Sequence, residues 1–406
     1  MTGKARWNAA LAVVLGLTLG APLAQAQTAR DTRAGLSGAA RDAAAAAPTR
    51  QDVSRVERLL NTLEHGRMRQ LLSARDGFSL RIGGIDDGSG LAAGPRWRKS
   101  TLFGGNLILH GSAVTSLRLE RGIEAGWAVP ALGTNRVSLA MDLSAAHLTR
   151  ERLFALHPGP SSPSVTTFGV DQRLVSTTLT VAATDWLQIS SRVGHLHTAS
   201  TAPPGSGVPL AGAPGLGAAP AFAVASMSAT ADARDVPGNP RRGGRYHIAV
   251  ERFDARGLAR SSFTRVNADL EQHVSMLKRQ RLVTLRGVAS LSQADPGHDV
   301  PIFLQPTLGG SQLLRGFVTD RFRAPNILVL QAEYGWDLWP FVNAVLFYET
   351  GTATAAWQQA LALRDLRRDY GLGFRFGSAR TVALRTDVAF GSGEGTRISM
   401  RLNHAF

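Results

Sequence analysis

The sequence predicts an all-β fold, a transmembrane antiparallel β-barrel of about sixteen strands preceded by a short amphipathic helix. Three observations predict it. From Phe78 onward, segments of roughly ten residues alternate apolar and polar positions, separated by Gly, Pro, Asn and Asp clusters. The connections between them alternate short and long. The polar face carries Arg, Asp and Glu beside Gly, whereas the apolar face is broad and aromatic-tipped. A soluble sandwich also alternates, but apolar-out with polar-in, and connections sorted by length, belong to a membrane barrel.

Composition narrows the choices first. The chain has 406 residues, 44% apolar and 18% charged, too apolar for disorder. It holds no Cys, which excludes disulfide scaffolds and Cys-based zinc, iron–sulfur or redox sites. A mean hydropathy of −0.04 argues against a bundle of membrane helices. The net charge of +15 fits nucleic acid, a lipopolysaccharide-rich surface or an Arg-lined lumen.

The N-terminus selects among these. Lys4 and Arg6 form a positive n-region, Ala9 to Leu19 an apolar h-region, and Ala24-Gln25-Ala26 a small-x-small cleavage site. Residues 1–26 read as a cleaved signal peptide, with Gln27 starting the mature chain. The alternative, a membrane anchor helix, needs a longer run. Export sets nucleic acid aside as a partner. Residues 28–49 read as a linker. Over 51–73, Val53, Val56, Leu60 and Leu63 share a stripe while Arg55, Arg58, Arg67 and Arg69 fall elsewhere. This basic helix could lie on a membrane, enter a pore or simply cap the domain. The segment 27–77 is therefore linker plus helix, and 78–406 is the barrel.

Strands are expected near 78–86, 91–99, 101–111, 115–128, 135–147, 166–182, 185–198, 221–233, 243–253, 262–275, 280–291, 326–337, 341–350, 367–377, 380–390 and 396–406. The last ones alternate best. Val382, Leu384, Thr386, Val388 and Phe390 share one face, and Arg385 and Asp387 the other. Tyr370, Leu372, Phe374 and Phe376 oppose Asp369, Gly371, Gly373 and Arg375. The long connections 148–165, 199–220, 292–325 and 351–366 all fall in one class, the external one. Tyr334, Trp336, Trp339 and Phe341 surround a short turn and suit an aromatic girdle. Closure follows from lipid, where an open sheet edge finds no water to satisfy it.

The segment Leu308-Gly309-Gly310-Ser311-Gln312-Leu313-Leu314-Arg315-Gly316-Phe317 lies in the longest external connection. Gly allows a tight turn, and a guanidinium reaches carboxylates with two parallel bonds. The inward faces of the next two strands offer Glu333 and Glu349. A loop folded back into the lumen would bring Arg315 to both.

These residues carry a resemblance. The segment ending in Leu314-Arg315-Gly316-Phe317, then Ala332-Glu333-Tyr334, then Leu346-Phe347-Tyr348-Glu349-Thr350-Gly351, resembles the C-terminal barrel of the Omp85 superfamily, also called the bacterial surface antigen D15 family or BamA/TamA type. The stretch Asp232-Ala233-Arg234-Asp235-Val236-Pro237, with Pro240 and Gly243-Gly244, is similar to that family's Asp-x-Arg-Asn-x-Pro turn. Gly371-Leu372-Gly373-Phe374-Arg375, Arg385-Thr386-Asp387-Val388-Ala389 and a terminal Phe406, the family's assembly signal, are similar as well. The resemblance is dense over 221–406. It implies a loop Arg docked in the lumen against acidic residues, here Arg315 with Glu333 and Glu349, where the family usually has Asp at the last position. It implies a Gram-negative outer membrane and a role in outer-membrane protein or lipid handling, with no cofactor and no enzymatic activity. The implied partners are outer-membrane lipids and lipopolysaccharide, a client protein or lipid, and the assembly machinery that inserts the barrel itself. Residues 27–77 are too few for a POTRA module, so the short branch of the superfamily is expected. Two other readings stand beside it: a passive pore gated by the 292–325 loop or the 51–73 helix, and a structural surface-antigen barrel.

Other features point less far. His195 and His197 have the spacing of two metal ligands, but no third is evident. No His sits mid-strand near a Ser in a hydrolase pattern. Gly371-Leu372-Gly373 precedes strands rather than a helix, so it is no phosphate loop.

Overall fold

The computed structural model describes residues 76–85, 91–154, 165–201, 213–257, 259–276, 281–339, 341–363, 365–378, 381–391 and 393–402. The expected signal peptide 1–26, the linker and helix expected over 27–75, and Phe406 all lie outside the described residues.

One antiparallel sheet contains sixteen strands. They are β1 Gly77–Gly83, β2 Ala92–Leu102, β3 Leu107–Ser116, β4 Arg121–Val129, β5 Val137–Phe154, β6 Val165–Ala182, β7 Leu187–Thr201, β8 Ala221–Asp232, β9 Gly243–Ala255, β10 Phe263–Met276, β11 Arg281–Ala294, β14 Asn326–Trp339, β15 Val342–Thr354, β16 Arg367–Gly377, β17 Val382–Gly391 and β18 Gly395–Leu402. A two-residue hairpin, β12 Thr307–Leu308 with β13 Phe322–Arg323, sits inside the β11–β14 connection. Each strand pairs with its neighbours in this order, and among the described residues β1 does not pair with β18, so the cylinder is not closed.

The alternation places side chains as expected of a membrane-facing sheet. On β15, Leu346 and Tyr348 are exposed while Val345, Phe347 and Glu349 are buried. Met227, Leu285, Leu372, Ile398 and Met400 likewise face outward. Among the described residues no helix is long and apolar enough to cross a membrane. Near the lower rim Tyr334 and Trp336 lie 6.1 Å apart, and Trp339 is exposed.

Three details differ from expectation. The turn expected at 99–101 lies at 103–106, because β2 runs on to Leu102 and Phe103, Gly104 and Gly105 adopt positive φ. A single helical turn, α1 Trp357–Leu361, interrupts the 351–366 connection; five residues are too short to show a helical period. The inner face is also not polar throughout. Toward the outer end, Leu196, Phe222, Phe253 and Phe263 are buried on β7 to β10, with Phe253 and Phe263 stacked at 4.5 Å.

The reason for that apolar patch is the 295–325 connection, which folds into the cylinder. Its Val300 joins the phenylalanine cluster. Ile302 and Phe303 pack against Leu148, Phe168 and Val170 on β5 and β6. A side chain of this size gains about 1.5–3 kcal/mol on burial, so three such anchors hold the loop inside.

Candidate functional site

The tip of the loop, Gly309 to Phe317, is a tight turn. Gly309 and Gly310 have φ of 105° and 110°, and Leu314 sits at 54°. The Phe317 N–H donates to the Leu314 carbonyl at 3.0 Å, and the Gly310 N–H to the Phe317 carbonyl at 3.1 Å. Leu314 and Phe317 anchor this turn in an apolar cluster with Leu308, Ile327 and Val329.

That anchoring aims Arg315 along the inner wall. Its Nη2 lies 2.8 Å from Glu333 Oε1 and 2.8 Å from Glu349 Oε1. Its Nε donates to Glu349 Oε1 at 2.8 Å, and its backbone N–H to Glu349 Oε2 at 2.7 Å. Asp387 Oδ1 is 3.3 Å from Nη1. The guanidinium also stacks 3.6 Å from the centre of the Phe347 ring, a favourable cation–π arrangement. Arg315 is 5% exposed and Glu349 fully buried. The carboxylates are bound a second time: Arg375 donates to Asp387 at 2.6 Å and to Glu333 at 3.3 Å. Gln331 also donates to Glu349 at 2.5 Å. Two arginines thus share three carboxylates on β14, β15 and β17.

The glycines make this network possible. Phe347 faces Gly371 across the β15–β16 ladder, and a Cβ at Gly371 would strike the Phe347 ring. A Cβ at Gly373 would strike the Asp387 carboxylate. Gly316 lies against Gly391 of β17: a Cβ on Gly316 would come within 2.6 Å of the Gly391 nitrogen. The Gly316 N–H donates to Asp369 at 2.7 Å. Farther along, the Val318 N–H and the Arg321 side chain bind Glu394 in the β17–β18 turn. Arg323 reaches Glu151 of β5 at 2.9 Å, on the other side of the lumen. At the outer rim Arg252 binds Asp295 with two bonds of 2.6 and 2.7 Å, which hold the Asp295 carboxyl below its ordinary range.

The β8–β9 turn supplies the opposite end. Asp232 takes two bonds from Arg234, at 2.8 and 2.6 Å. Asp235 Oδ1 accepts the N–H groups of Val236, Arg241 and Arg242 at 2.9, 2.9 and 3.1 Å. Gly243 closes the turn at φ 87°, and a Cβ there would strike the Ala233 carbonyl. Pro237 and Pro240 stiffen the segment between. So shaped, the turn reaches across the mouth. Asn239 donates to the Ser378 carbonyl at 2.9 Å, and Val382 N–H to the Gly238 carbonyl at 3.2 Å. Arg241 forms a fork with Asp337 at 2.8 and 3.2 Å. Between this turn and the loop tip lies a polar cavity of about 350 Å³.

The structure thus brings Leu314, Arg315, Gly316 and Phe317 together with Glu333 and Glu349. It places Asp232, Arg234, Asp235, Pro237, Pro240 and Gly243 at the other end of the same space. Sequence reasoning missed Asp369, Asp387 and Gly391 as partners of the loop, and Arg375 as the second cation on its carboxylates. Their inward register was readable, but register does not say which side chain a docked loop meets. His195 and His197 lie apart, on the outward side of β7 beside Leu196, His195 exposed. No group of three possible metal ligands occurs among the described residues.

A sixteen-stranded antiparallel sheet with an apolar exterior and a loop pinned inside by an arginine defines an outer-membrane barrel of the loop-plugged kind. The Omp85 superfamily domain matches residues 101–406, and the chain belongs to that superfamily. No curated protein matches it. Among solved structures, BamA from Haemophilus ducreyi lacking POTRA domains 1–3 is similar in fold, with a TM-score of 0.61 at 13% identity; the match covers 80% of this chain and 71% of that one. CdiB from Acinetobacter baumannii matches at 14% identity and TM-score 0.47, covering 80% of this chain and 59% of that one. CdiB from Escherichia coli matches at 13% and 0.49, covering 82% and 62%.

Proposed function

We propose that this protein inserts or translocates polypeptide or lipid at the outer membrane of a Gram-negative bacterium, by way of the seam between its first and last strands. The observation that carries the reading is the pair of sheet edges, β1 and β18, which do not pair with each other. An unpaired edge in a membrane offers backbone donors and acceptors to an incoming strand. β18 also presents Ile398 at 76% and Met400 at 69% exposure beside that edge.

The docked loop supports the same reading against a passive pore. It fills the outer part of the lumen with apolar contacts, and its tip is held by buried ion pairs, so traffic through the axis requires the loop to move. A purely structural surface barrel would have no use for an open edge. In this reading the signal peptide 1–26 is removed on export, outer-membrane lipid and lipopolysaccharide surround the barrel, assembly machinery inserts it, and Phe406 serves as its own assembly signal.

The test is reconstitution into proteoliposomes with an unfolded outer-membrane client and with labelled lipid. Client insertion or lipid transfer is expected, and a cross-link that ties a cysteine placed on β1 to one placed on β18 is expected to abolish it. A steady conductance in planar bilayers, with neither client nor lipid activity, would establish the pore instead.

A further inference from the structure

Loop docking leaves two half-buried arginines of the lumen wall unused. Arg375, Arg385 and Arg401 occupy the same level on β16, β17 and β18: Arg375 pairs in register with Arg385, and Arg385 with Arg401. All three line the polar cavity between the loop tip and the β8–β9 turn. Like charges directly opposite on neighbouring strands repel, so a row of three guanidiniums in a partly dehydrated wall needs anions.

The carboxylates present do not serve the whole row. Asp387 and Glu333 bind Arg375 and Arg315. The other arginines lining the cavity have their own partners: Arg234 with Asp232, Arg241 with Asp337, Arg286 with Asp269. Arg385 and Arg401 differ. The Nε of each is buried without any hydrogen-bond partner, and no ion pair joins either residue to a carboxylate among the described residues. A buried guanidinium N–H left without an acceptor is costly, more so when charged.

We propose that Arg385 and Arg401 form a phosphate-binding site on the lumen wall of the last two strands. Two guanidinium forks side by side present donors in two planes, which suits the three or four oxygens of a phosphate better than the two of a carboxylate. The site lies on β17 and the edge strand β18, beside the seam. The phosphate can therefore arrive as a free ion through the cavity or on a lipid headgroup through the open edge. The proposal does not depend on the barrel having a client.

The experiment uses the full-length protein purified in a maltoside, which carries no phosphate. Inorganic phosphate, acetate and phosphatidic acid in mixed micelles are each titrated by calorimetry against the wild type and against an Arg385→Gln/Arg401→Gln variant. Saturable phosphate binding is expected in the wild type, weakened at least about tenfold in the variant, the loss of two charge-assisted bonds. In case the variant does not fold, the wild type is also treated with phenylglyoxal, and peptide mass spectrometry reads protection of Arg385 and Arg401. Protection by inorganic phosphate identifies a free-ion site, and protection by phosphatidic acid alone identifies a headgroup site. Either outcome supports the proposal. Binding of neither probe, equal protection by acetate, or unchanged binding in a folded variant overturns it.

Discussion

Arg315 holds more of this molecule in place than its size suggests. Removing it would leave Glu333 and Asp387 with one shared cation, Arg375, and the fully buried Glu349 with the Gln331 amide but no ion pair among the described residues. Breaking such a buried pair costs about 3–5 kcal/mol. Arg315→Ala is therefore expected to lower the yield of folded barrel, read as the compact band on a heat-modifiability gel; wild-type yield would refute a structural role. The glycine contact makes an independent test. Gly316→Ala and Gly391→Ala each push a methyl group into opposing backbone, an overpacking cost of about 1–3 kcal/mol. Gly287→Ala meets only the Leu330 side chain, at 3.6 Å, and is expected to fold like the wild type. If all three variants denature at the same urea concentration, the close approach of loop and β17 is not real.

The loop and the β8–β9 turn are the two elements that distinguish this barrel from an empty cylinder. The loop uses apolar anchors at its base and charge at its tip. Phe303→Ala deletes one anchor from the cluster with Phe168 and Val170, at a cost of about 3–5 kcal/mol to the docked state. The strands do not depend on that anchor, so the folded barrel should persist while bilayer recordings show openings that are rarer in the wild type. Identical recordings would mean that the loop does not obstruct the lumen. The turn is pinned at Ser378, Val382 and Asp337. Because the chain has no Cys, Asn239→Cys with Ser378→Cys is expected to be joined by a short thiol cross-linker in the folded protein and not in the unfolded one. No cross-link in folded protein would show that the turn does not cross the mouth.

For the whole molecule, one physical condition governs the rest: the apolar side chains of alternate strand positions need acyl chains or detergent around them. Residues such as Met227, Leu285 and Met400 face outward on strands spread around the sheet, an area far larger than soluble monomers expose. The folded protein is expected to precipitate when detergent is withdrawn. A monodisperse, water-soluble protein of native strand content would refute the membrane-facing assignment.

Period-two alternation by itself determined the all-β class, sixteen strands and the facing of side chains such as Leu372 and Asp387, because a strand allows its side chains only two directions. Strand ends were less legible: β5 and β7 run several residues past the expected limits, since ladder pairing continues wherever a neighbour extends. The docking motif was visible as Arg315 with two acidic partners. Only the tertiary structure decided that Asp369, Asp387 and Gly391 complete it, that an apolar patch lines the outer lumen, and that the β8–β9 turn reaches Ser378. These contacts join residues far apart in the chain, and which of them meet depends on how strands distant in sequence curve around one space, a property no local pattern encodes.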